Sequence, residues 1–309
     1  MDLKIENLTV DFLYPNKEIP AVSGVTTHIR AGRVTGIVGE SGSGKSVLAM
    51  ALLRLLPINA RVCGTCLYGE KNLLTLQGKE LAHLRRDQLA LIPQNPYESL
   101  NPSFKVRRIF LNALAGKPLS RNEKLNQIKS LLMTLGFTDA EAILDRYSFE
   151  LSGGMNQRVL AGLALIRQPE WIIADEPTKG LDAALQKDIL QLFQRIAENV
   201  GSILVITHDL HFAYALCDDL IVLYNGEIVE EGPCREILRH PVHPYTQGLV
   251  ASLPEMGMHP IPCAVNKAMR SGCCRFYERC FCAKSACTNT APPLAQQKDG
   301  RKVRCFCCD

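Results

Sequence analysis

Apolar and polar side chains alternate over much of the first forty residues. The apolar positions are Leu3, Ile5, Leu8, Val10 and Phe12. A period of two residues is typical of strands that bury one face, and the Tyr-Pro-Asn-Lys sequence at residues 14–17 suits a turn between two of them. We therefore predict that residues 2–38 form short strands of an antiparallel sheet.

Three later runs are almost wholly apolar. They cover residues 89–92, 171–174 and 203–207, and the last two end in Asp175-Glu176 and His208-Asp209. Strands buried on both faces have this composition, and they occur in parallel sheets covered by helices. Polar residues at the carboxyl ends of such strands lie where open α/β sheets bind ligands. The pattern thus predicts an α/β fold with a ligand site at these ends.

Between residues 97 and 168 the apolar period changes to that of helices. The repeat is clearest in one helix-like stretch, at Leu125, Ile128, Leu131, Leu132 and Leu135, followed by Gly136. Glycine just beyond the last apolar position is a common helix end. We predict a helical subdomain over about 97–168.

The last quarter of the chain differs in composition. Asn225-Gly226 lies between apolar runs and predicts a two-residue hairpin turn. Beyond Gly232-Pro233, prolines become frequent and a cysteine-rich tail follows. We predict a first domain over residues 1–235 and a C-terminal extension over 236–309.

A phosphate-binding loop follows the apolar run Val34–Val38. It has the form G-x-x-x-x-G-K-S and precedes a helix-prone segment, which is the strand, loop, helix context that the motif requires. Its glycines allow successive N–H groups to face one anion at the start of a helix. The predicted nucleotide contacts here are Gly39, Glu40, Ser41, Gly42, Ser43, Gly44, Lys45, Ser46 and Val47. Lys45 would reach the β- and γ-phosphates, and the Ser46 hydroxyl would bind Mg²⁺.

Charge and composition exclude several classes of protein. The net charge is +4 and 21% of residues are charged, which favours neither a nucleic-acid partner nor a disordered chain. The first residues carry charge at alternate positions rather than the apolar core of a secretory signal, and no window approaches 18 apolar residues. We expect a cytosolic chain.

Asp175 and Glu176 follow a buried strand, which is the Walker-B arrangement. The Asp175 carboxylate would complete the Mg²⁺ coordination shell, and Glu176 would polarise the attacking water as general base. Asp-Glu pairs are common on protein surfaces, but in a chain that also carries a phosphate loop this pair predicts ATP hydrolysis.

A second anion-binding helix start decides the type of ATPase. Residues 151–158 run Leu-Ser-Gly-Gly-Met-Asn-Gln-Arg, and this LSGGxxQR sequence resembles the signature of ATP-binding cassette (ABC) proteins. The resemblance covers about the first 235 residues. It implies that Gln94 is the Q-loop glutamine, Asp182 belongs to the D-loop and His208 is the switch histidine. Phe12, or alternatively Tyr14, would stack on adenine.

In the family that this chain resembles, two cassettes pair head to tail around ATP. The resemblance therefore implies that Ser152, Gly153 and Gly154 bind the nucleotide of a partner cassette. Glu176 would activate water, while Lys45 and His208 stabilise charge on the γ-phosphate. Gln94 would sense both the metal and the partner.

Further motifs resemble those of peptide and nickel importers. These are the Q-loop extension at 93–102, Met155 in the signature, the His-Pro-Tyr-Thr element at 243–246, and a tail with Phe276, Arg279 and spaced cysteines. The resemblance implies the ATPase subunit of an importer for di- or oligopeptides, or alternatively for nickel or a nickel chelate. Its partners would be a second ATPase subunit, two transmembrane permease subunits and an extracytoplasmic substrate-binding protein, at the cytoplasmic face of the membrane. A soluble ABC ATPase acting on ribosomes or DNA is the competing class, although those usually carry two cassettes in one chain.

Nine of the thirteen cysteines lie between Cys263 and Cys308. Without an export signal, such a cluster favours metal binding over disulfides. The spacing C-x5-C-x6-C with a distant fourth cysteine selects Cys274, Cys280, Cys287 and Cys305 as ligands. Four thiolates hold either a [4Fe–4S] cluster or zinc, and spacing does not separate the two. The family resemblance favours iron–sulfur, and we expect a structural role, with redox sensing as the alternative.

Overall fold

The computed structural model describes residues 1–262 and 272–307, so the predicted tail thiols Cys263 and Cys308 lie outside the described residues. The chain divides into two compact units. The first contains residues 1–76 and 205–309, and the second contains residues 77–204. Each unit is described separately below.

The first unit begins with an antiparallel sheet, as the alternating pattern predicts, but its first two strands are long rather than short, and Val34–Val38 belongs to a different sheet. Its strands are β1 (Leu3–Tyr14), β2 (Lys17–Ile29), β4 (Ala60–Tyr68) and β5 (Lys71–Asn72), in the order β2-β1-β4-β5. The register pairs Tyr14 with Lys17, so the predicted turn closes with two residues between the strands. Four apolar members of the pattern, Leu3, Ile5, Leu8 and Val10, are buried, whereas Phe12 is half-buried.

A second sheet in this unit carries the phosphate loop. It contains β3 (Val34–Val38), β9 (Asp219–Tyr224), β10 (Glu227–Pro233) and, from β8 (Ile203–Thr207), residues 205–207. Strand β3 runs parallel to β9, with Ile37 opposite Ile221, while β9 and β10 form the hairpin predicted at Asn225-Gly226. All five residues of β3 and of β8 are buried, as expected for central strands.

The C-terminal tail extends this sheet. Strand β12 (Lys302–Val303) pairs antiparallel with β10, and β11 (Ala295–Gln296) pairs with β12. The helices of the first unit are α1 (Lys45–Leu52), α9 (Leu210–Leu216), α10 (Cys234–Arg239), α11 (Pro244–Ala251) and α12 (Ser285–Asn289). Short 3₁₀ turns lie at Pro254–Met256 and Tyr277–Arg279.

The second unit is mainly helical. Its helices are α2 (Gly78–His83), α3 (Pro96–Ser99), α4 (Val106–Ala113), α5 (Arg121–Thr134), α6 (Ala140–Leu144), α7 (Gly153–Leu165) and α8 (Ala183–Val200). A π-helical turn at Leu84–Gln88 precedes β6 (Leu89–Ile92), and a 3₁₀ turn lies at Ser148–Glu150. Strand β6 pairs in parallel with β7 (Trp171–Asp175).

The structure confirms the predicted mixed α/β fold. Helix α5 carries the predicted apolar repeat, and Ile128 and Leu132 on its inner face are fully buried. Its first turn is closed by a capping box, in which Ser120 and Glu123 exchange hydrogen bonds. Among the described residues, no helix is long and apolar enough to cross a bilayer. The predicted boundary at residue 235 stays a prediction.

Candidate functional site

Helix α1 and the loop before it form the phosphate-binding part of the site. The loop turns sharply because Gly44 adopts a φ of 100°, and a Cβ there would overlap the carbonyl oxygen of Ala21. A Cβ at Gly39 would likewise overlap the carbonyl oxygen of Leu223. Only glycine fits at these two positions, since it lacks a Cβ and tolerates positive φ.

Two side chains of the loop are prepared for an anion. Lys45 is buried, and its Nζ donates to the carbonyl oxygens of Gly39 at 2.8 Å and Glu40 at 3.0 Å. The Ser43 hydroxyl is also buried, and within the described residues it has no hydrogen-bond partner. A buried hydroxyl without a partner is costly unless a ligand satisfies it. These features fit a polyphosphate.

The other predicted contacts of the loop are accessible. Ser41 and Gly42 are exposed, while Ser46 and Val47 are half-buried in the first turn of α1. Phe12 is half-buried in β1, where it pairs with Ile19 and Ala60, so its adenine-stacking role stays a prediction.

Two residues of the C-terminal motifs also contact the loop, and the sequence analysis gave them no role. The Glu40 N–H donates to the hydroxyl oxygen of Tyr245 at 2.8 Å. Arg279 donates to both carboxylate oxygens of Glu40, at 2.8 and 2.7 Å. The signal that could have found them was present, since both residues belong to motifs that resemble those of peptide and nickel importers.

The Walker-B carboxylates lie in the second unit. Asp175 ends β7 and is buried, and Glu176 follows it with only 8% of its surface exposed. Glu176 adopts a φ of 50°, a left-handed backbone conformation that residues other than glycine rarely adopt. Backbone strain of this kind concentrates at functional sites, because there the surrounding structure holds a side chain in a required direction.

The signature sequence opens helix α7. Ser152 is the N-cap, and its hydroxyl oxygen accepts a hydrogen bond from the Met155 N–H at 3.3 Å. Ser152 is exposed, and Gly154 packs so closely that a Cβ there would lie 2.8 Å from a methyl group of Leu185. The helix start therefore presents Ser152 to its surroundings while its glycines allow tight packing behind it.

The remaining predicted site residues lie at the ends of elements. Gln94 follows β6 and His208 follows β8, and both are exposed. A buried structural role for His208 is thereby excluded. Asp182 is the N-cap of α8, where its carboxylate accepts from the Leu185 N–H at 3.0 Å, so part of its role is structural.

The cysteine tail does not show the expected metal site. In residues 1–262 and 272–307, no group of three or more His, Cys, Asp or Glu side chains is arranged to hold a metal ion. Two of the predicted ligands are in contact, since the Cys274 N–H donates to the Cys287 carbonyl oxygen at 2.9 Å. Burial, together with the charges of Cys287, Cys280 and Cys305, raises the pKa of Cys274 to about 11. The Cys280 sulfur lies 3.5 Å from that of Cys282, one of the thiols outside the predicted set. The iron–sulfur cluster is therefore not confirmed.

Two family models match the sequence. The model described as "ABC transporter" matches residues 22–179, and the model described as "Oligopeptide/dipeptide transporter, C-terminal region" matches residues 229–287. The first match contains the phosphate loop, the signature and the Walker-B pair. The second contains Tyr245 and Arg279.

Similar proteins match along nearly the whole chain. The oligopeptide transport ATP-binding protein OppD of Salmonella typhimurium is 37% identical, covering 98% of this chain and 93% of its own length. AppD of Bacillus subtilis, another oligopeptide transport ATP-binding protein, is 34% identical over 98% and 96%. The dipeptide transport ATP-binding protein DppD of Haemophilus influenzae is 36% identical over 98% and 94%.

Solved structures of ATP-binding cassettes share the fold. The dimeric post-hydrolysis state of the cassette MJ0796, bound to ADP and Pi, matches with a TM-score of 0.66 at 27% identity, covering 75% of this chain and 99% of that one. CbiO1 of Clostridium perfringens, part of the transporter complex cbiONQ, matches with a TM-score of 0.66 at 26% identity over 82% and 96%.

Fold, loop and signature together define an ABC-type ATPase. The chain belongs to the ABC transporter family, among the ATP-binding proteins of oligopeptide and dipeptide transporters. Nickel has no better support than peptides, because the relatives described above are named for peptides.

Proposed function

We propose that this chain is the ATPase subunit of a peptide importer, in which ATP binding and hydrolysis at a cassette dimer drive uptake of di- or oligopeptides. The observation that carries the proposal is the presence of two anion-binding helix starts, one at Lys45 and one at Ser152. One triphosphate does not need two such sites from a single chain. Head-to-tail pairing gives each of them a role, because the exposed Ser152 then faces the nucleotide of the partner.

The phosphate loop and the Walker-B pair would have different roles in ATP hydrolysis. Lys45 and the N–H groups of residues 41–46 would hold the β- and γ-phosphates. Ser46, Gln94 and Asp175 would hold Mg²⁺, which when bound supplies positive charge beside the phosphates. Glu176 would accept a proton from the attacking water, and the exposed His208 would contact the γ-phosphate.

The importer role supplies the partners and the location. The second cassette would be a copy of this chain or a related one, and the pair would act on two transmembrane permease subunits at the cytoplasmic face of the membrane. A substrate-binding protein outside the membrane would deliver the peptide. Similarity to OppD, AppD and DppD, together with the matched C-terminal region, supports peptides as the cargo.

We also infer that the tail thiols bind a metal centre, a [4Fe–4S] cluster in preference to zinc. Cys274, Cys280, Cys287 and Cys305 have the right chemistry, and the hydrogen bond from the Cys274 N–H to the Cys287 carbonyl oxygen supports proximity of two of them. Metal analysis of anaerobically purified protein should find about four irons per chain. One zinc without sulfide would contradict the cluster and support the alternative metal.

Substitution of the general base tests the ATPase mechanism. Glu176→Gln should abolish turnover while ATP stays bound, because the amide keeps the shape but cannot take a proton. Glu170→Gln is the matched control, since Glu170 is exposed at the opposite end of the same strand. ATP turnover and nucleotide retention should be measured for both in the assembled transporter. Retained turnover in Glu176→Gln would remove Glu176 from its role.

A further inference from the structure

Glu40, the second residue of the phosphate loop, is held at three points. Its N–H donates to Tyr245, its carbonyl oxygen accepts from Lys45 Nζ, and its carboxylate receives both terminal nitrogens of Arg279. Tyr245 belongs to the element at 243–246 and Arg279 to the cysteine tail. The C-terminal region therefore contacts the loop through both the main chain and the side chain of one residue.

Arg279 is itself fixed by its surroundings. Its side chain is 8% exposed, whereas that of Glu40 is 40% exposed. The guanidinium lies over the rings of Tyr224 and Phe276, and its Nε donates to the Pro262 carbonyl oxygen at 2.6 Å. A planar guanidinium that is stacked on two rings and bonded to a carbonyl oxygen has little rotamer freedom left to lose when it pairs with the carboxylate. The ion pair is therefore preorganised.

An aromatic cluster packs around the residues that contact Glu40. Tyr245 packs on Tyr224 with ring centroids 4.6 Å apart, and Phe276 makes edge contacts with both. Burial raises the pKa of the Tyr245 hydroxyl above its ordinary value, so the group stays protonated. The Glu40 N–H thus meets a neutral hydroxyl oxygen in a fixed position.

The negative charge of Glu40 would oppose binding of a triphosphate unless it is neutralised. A carboxylate in a loop that binds a triphosphate repels the ligand, and salt screens part of this repulsion because the Glu40 side chain is 40% exposed. A bidentate arginine neutralises the carboxylate and fixes its direction. Removing Arg279 would leave the negative charge of Glu40 uncompensated next to the phosphates.

We propose that Arg279 and Tyr245 are positioning residues for ATP binding, by which the C-terminal region neutralises Glu40 and holds the phosphate loop in its binding conformation. The inference rests on the proposed ATP site but assigns these residues a role that the ATPase motifs do not contain. It makes ATP affinity depend on a contact between the tail and the loop.

The test is a double-mutant cycle on the full-length chain, with the Kd for ATP measured by displacement of a fluorescent ATP analogue. Arg279→Gln should raise the Kd about tenfold, because one uncompensated charge remains near the phosphates. In the Glu40→Gln background, Arg279→Gln should cause no further rise in the Kd, because the carboxylate that it would leave uncompensated is absent. The Arg279→Gln effect should also shrink when the salt concentration rises from about 0.05 to about 0.5 M.

Two further variants, Tyr245→Phe and Arg304→Gln, distinguish a specific effect on the phosphate loop from general destabilisation of the C-terminal tail. Tyr245→Phe should weaken ATP binding without rescue by Glu40→Gln, since Tyr245 holds the main chain. Arg304 anchors the tail to the carbonyl oxygens of Ile228 and Pro292 and does not contact the loop, so Arg304→Gln should leave the Kd unchanged. Additive losses in the Arg279–Glu40 double variant, or an equal loss in Arg304→Gln, would overturn the inference. A wild-type chain that fails to bind ATP would instead contradict the proposed function.

Discussion

The Gln157 side chain donates a hydrogen bond from Nε2 to the carbonyl oxygen of Pro177 at 3.2 Å, joining the signature helix α7 to the segment after β7. Both residues are buried. The signature and the Walker-B pair are thus linked inside one unit by a bond that water cannot replace. A buried acceptor that loses its donor carries the full cost of desolvation.

Replacing Gln157 should therefore destabilise the protein. Gln157→Met keeps the length of the side chain but removes the donor, and we expect a loss of about 1–3 kcal/mol in the free energy of unfolding. Urea unfolding measures the change. Gln194→Met, on the exposed face of α8, is the control and should be close to neutral. Equal stability of the two variants would show that the bond to Pro177 contributes nothing.

Asp182 caps helix α8 and also lies in the predicted D-loop, and two substitutions separate the helix-capping role from a role in ATP turnover. Asp182→Ala removes the cap of α8 and should cost about 1 kcal/mol of stability, whereas Asp182→Asn keeps a capping oxygen and should cost little. Thermal unfolding measures the first effect and ATP turnover the second. If Asp182→Asn retains stability but loses turnover, the carboxylate acts on the nucleotide site as well as on the helix.

The left-handed backbone at Glu176 predicts a local conflict between stability and catalysis. Glu176→Gly and Glu176→Ala both lack the general base and should both be inactive. The glycine variant should be more stable by about 1 kcal/mol, because glycine adopts positive φ without strain. Unfolding of the two proteins under identical conditions checks the order. A more stable alanine variant would contradict strain at this position.

His243 makes the stability of the C-terminal region depend on pH. Burial lowers the pKa of this histidine from 6.5 to about 4. The Nδ1 atom of the neutral ring accepts a hydrogen bond from the Tyr245 N–H. The main-chain N–H of His243 donates to the carboxylate of buried Glu230. Its other ring nitrogen bonds the backbone of Arg304, whose positive charge also disfavours protonation of the ring.

The sign follows from proton binding. The unfolded chain binds the proton more tightly than the folded one, so stability is complete above pH 6.5 and is lost as the pH falls toward 4, by up to about 3 kcal/mol. Melting temperatures at pH 7 and pH 5 should differ more in the wild type than in His243→Asn, which keeps a capping oxygen for α11. Identical pH dependence in both proteins would exclude His243 as the source.

Local sequence accounts for much of this fold. The Tyr14–Lys17 turn, the Asn225-Gly226 hairpin and the buried strand at Trp171 were predicted correctly, because their signals lie within a few residues. The phosphate loop was recognisable for the same reason, since the glycines that bend it adjoin the lysine that it presents. The signature helix start also follows from its own sequence, as the cap of Ser152 on Met155 shows.

The cysteine tail marks a limit of spacing arguments. The predicted ligands lie near one another, but the sequence did not anticipate that the Cys307 thiol would donate to the Cys282 carbonyl oxygen at 2.9 Å. Three extra thiols in the described part of the tail offer alternative contacts, and one-dimensional spacing does not rank them.

By itself, the sequence determined the class of the protein, its nucleotide loop, its buried strands and its helical middle part, because each of these depends on neighbouring residues and backbone geometry. Only the tertiary structure showed that Arg279 reaches Glu40, a partner 239 positions away in the chain. It also decided that Gln157 turns inward to Pro177 and that the His243 ring is kept neutral. Such contacts depend on which surfaces are buried together, and burial sets the strength of a charge, a hydrogen bond or a proton's affinity in a way that no local pattern records.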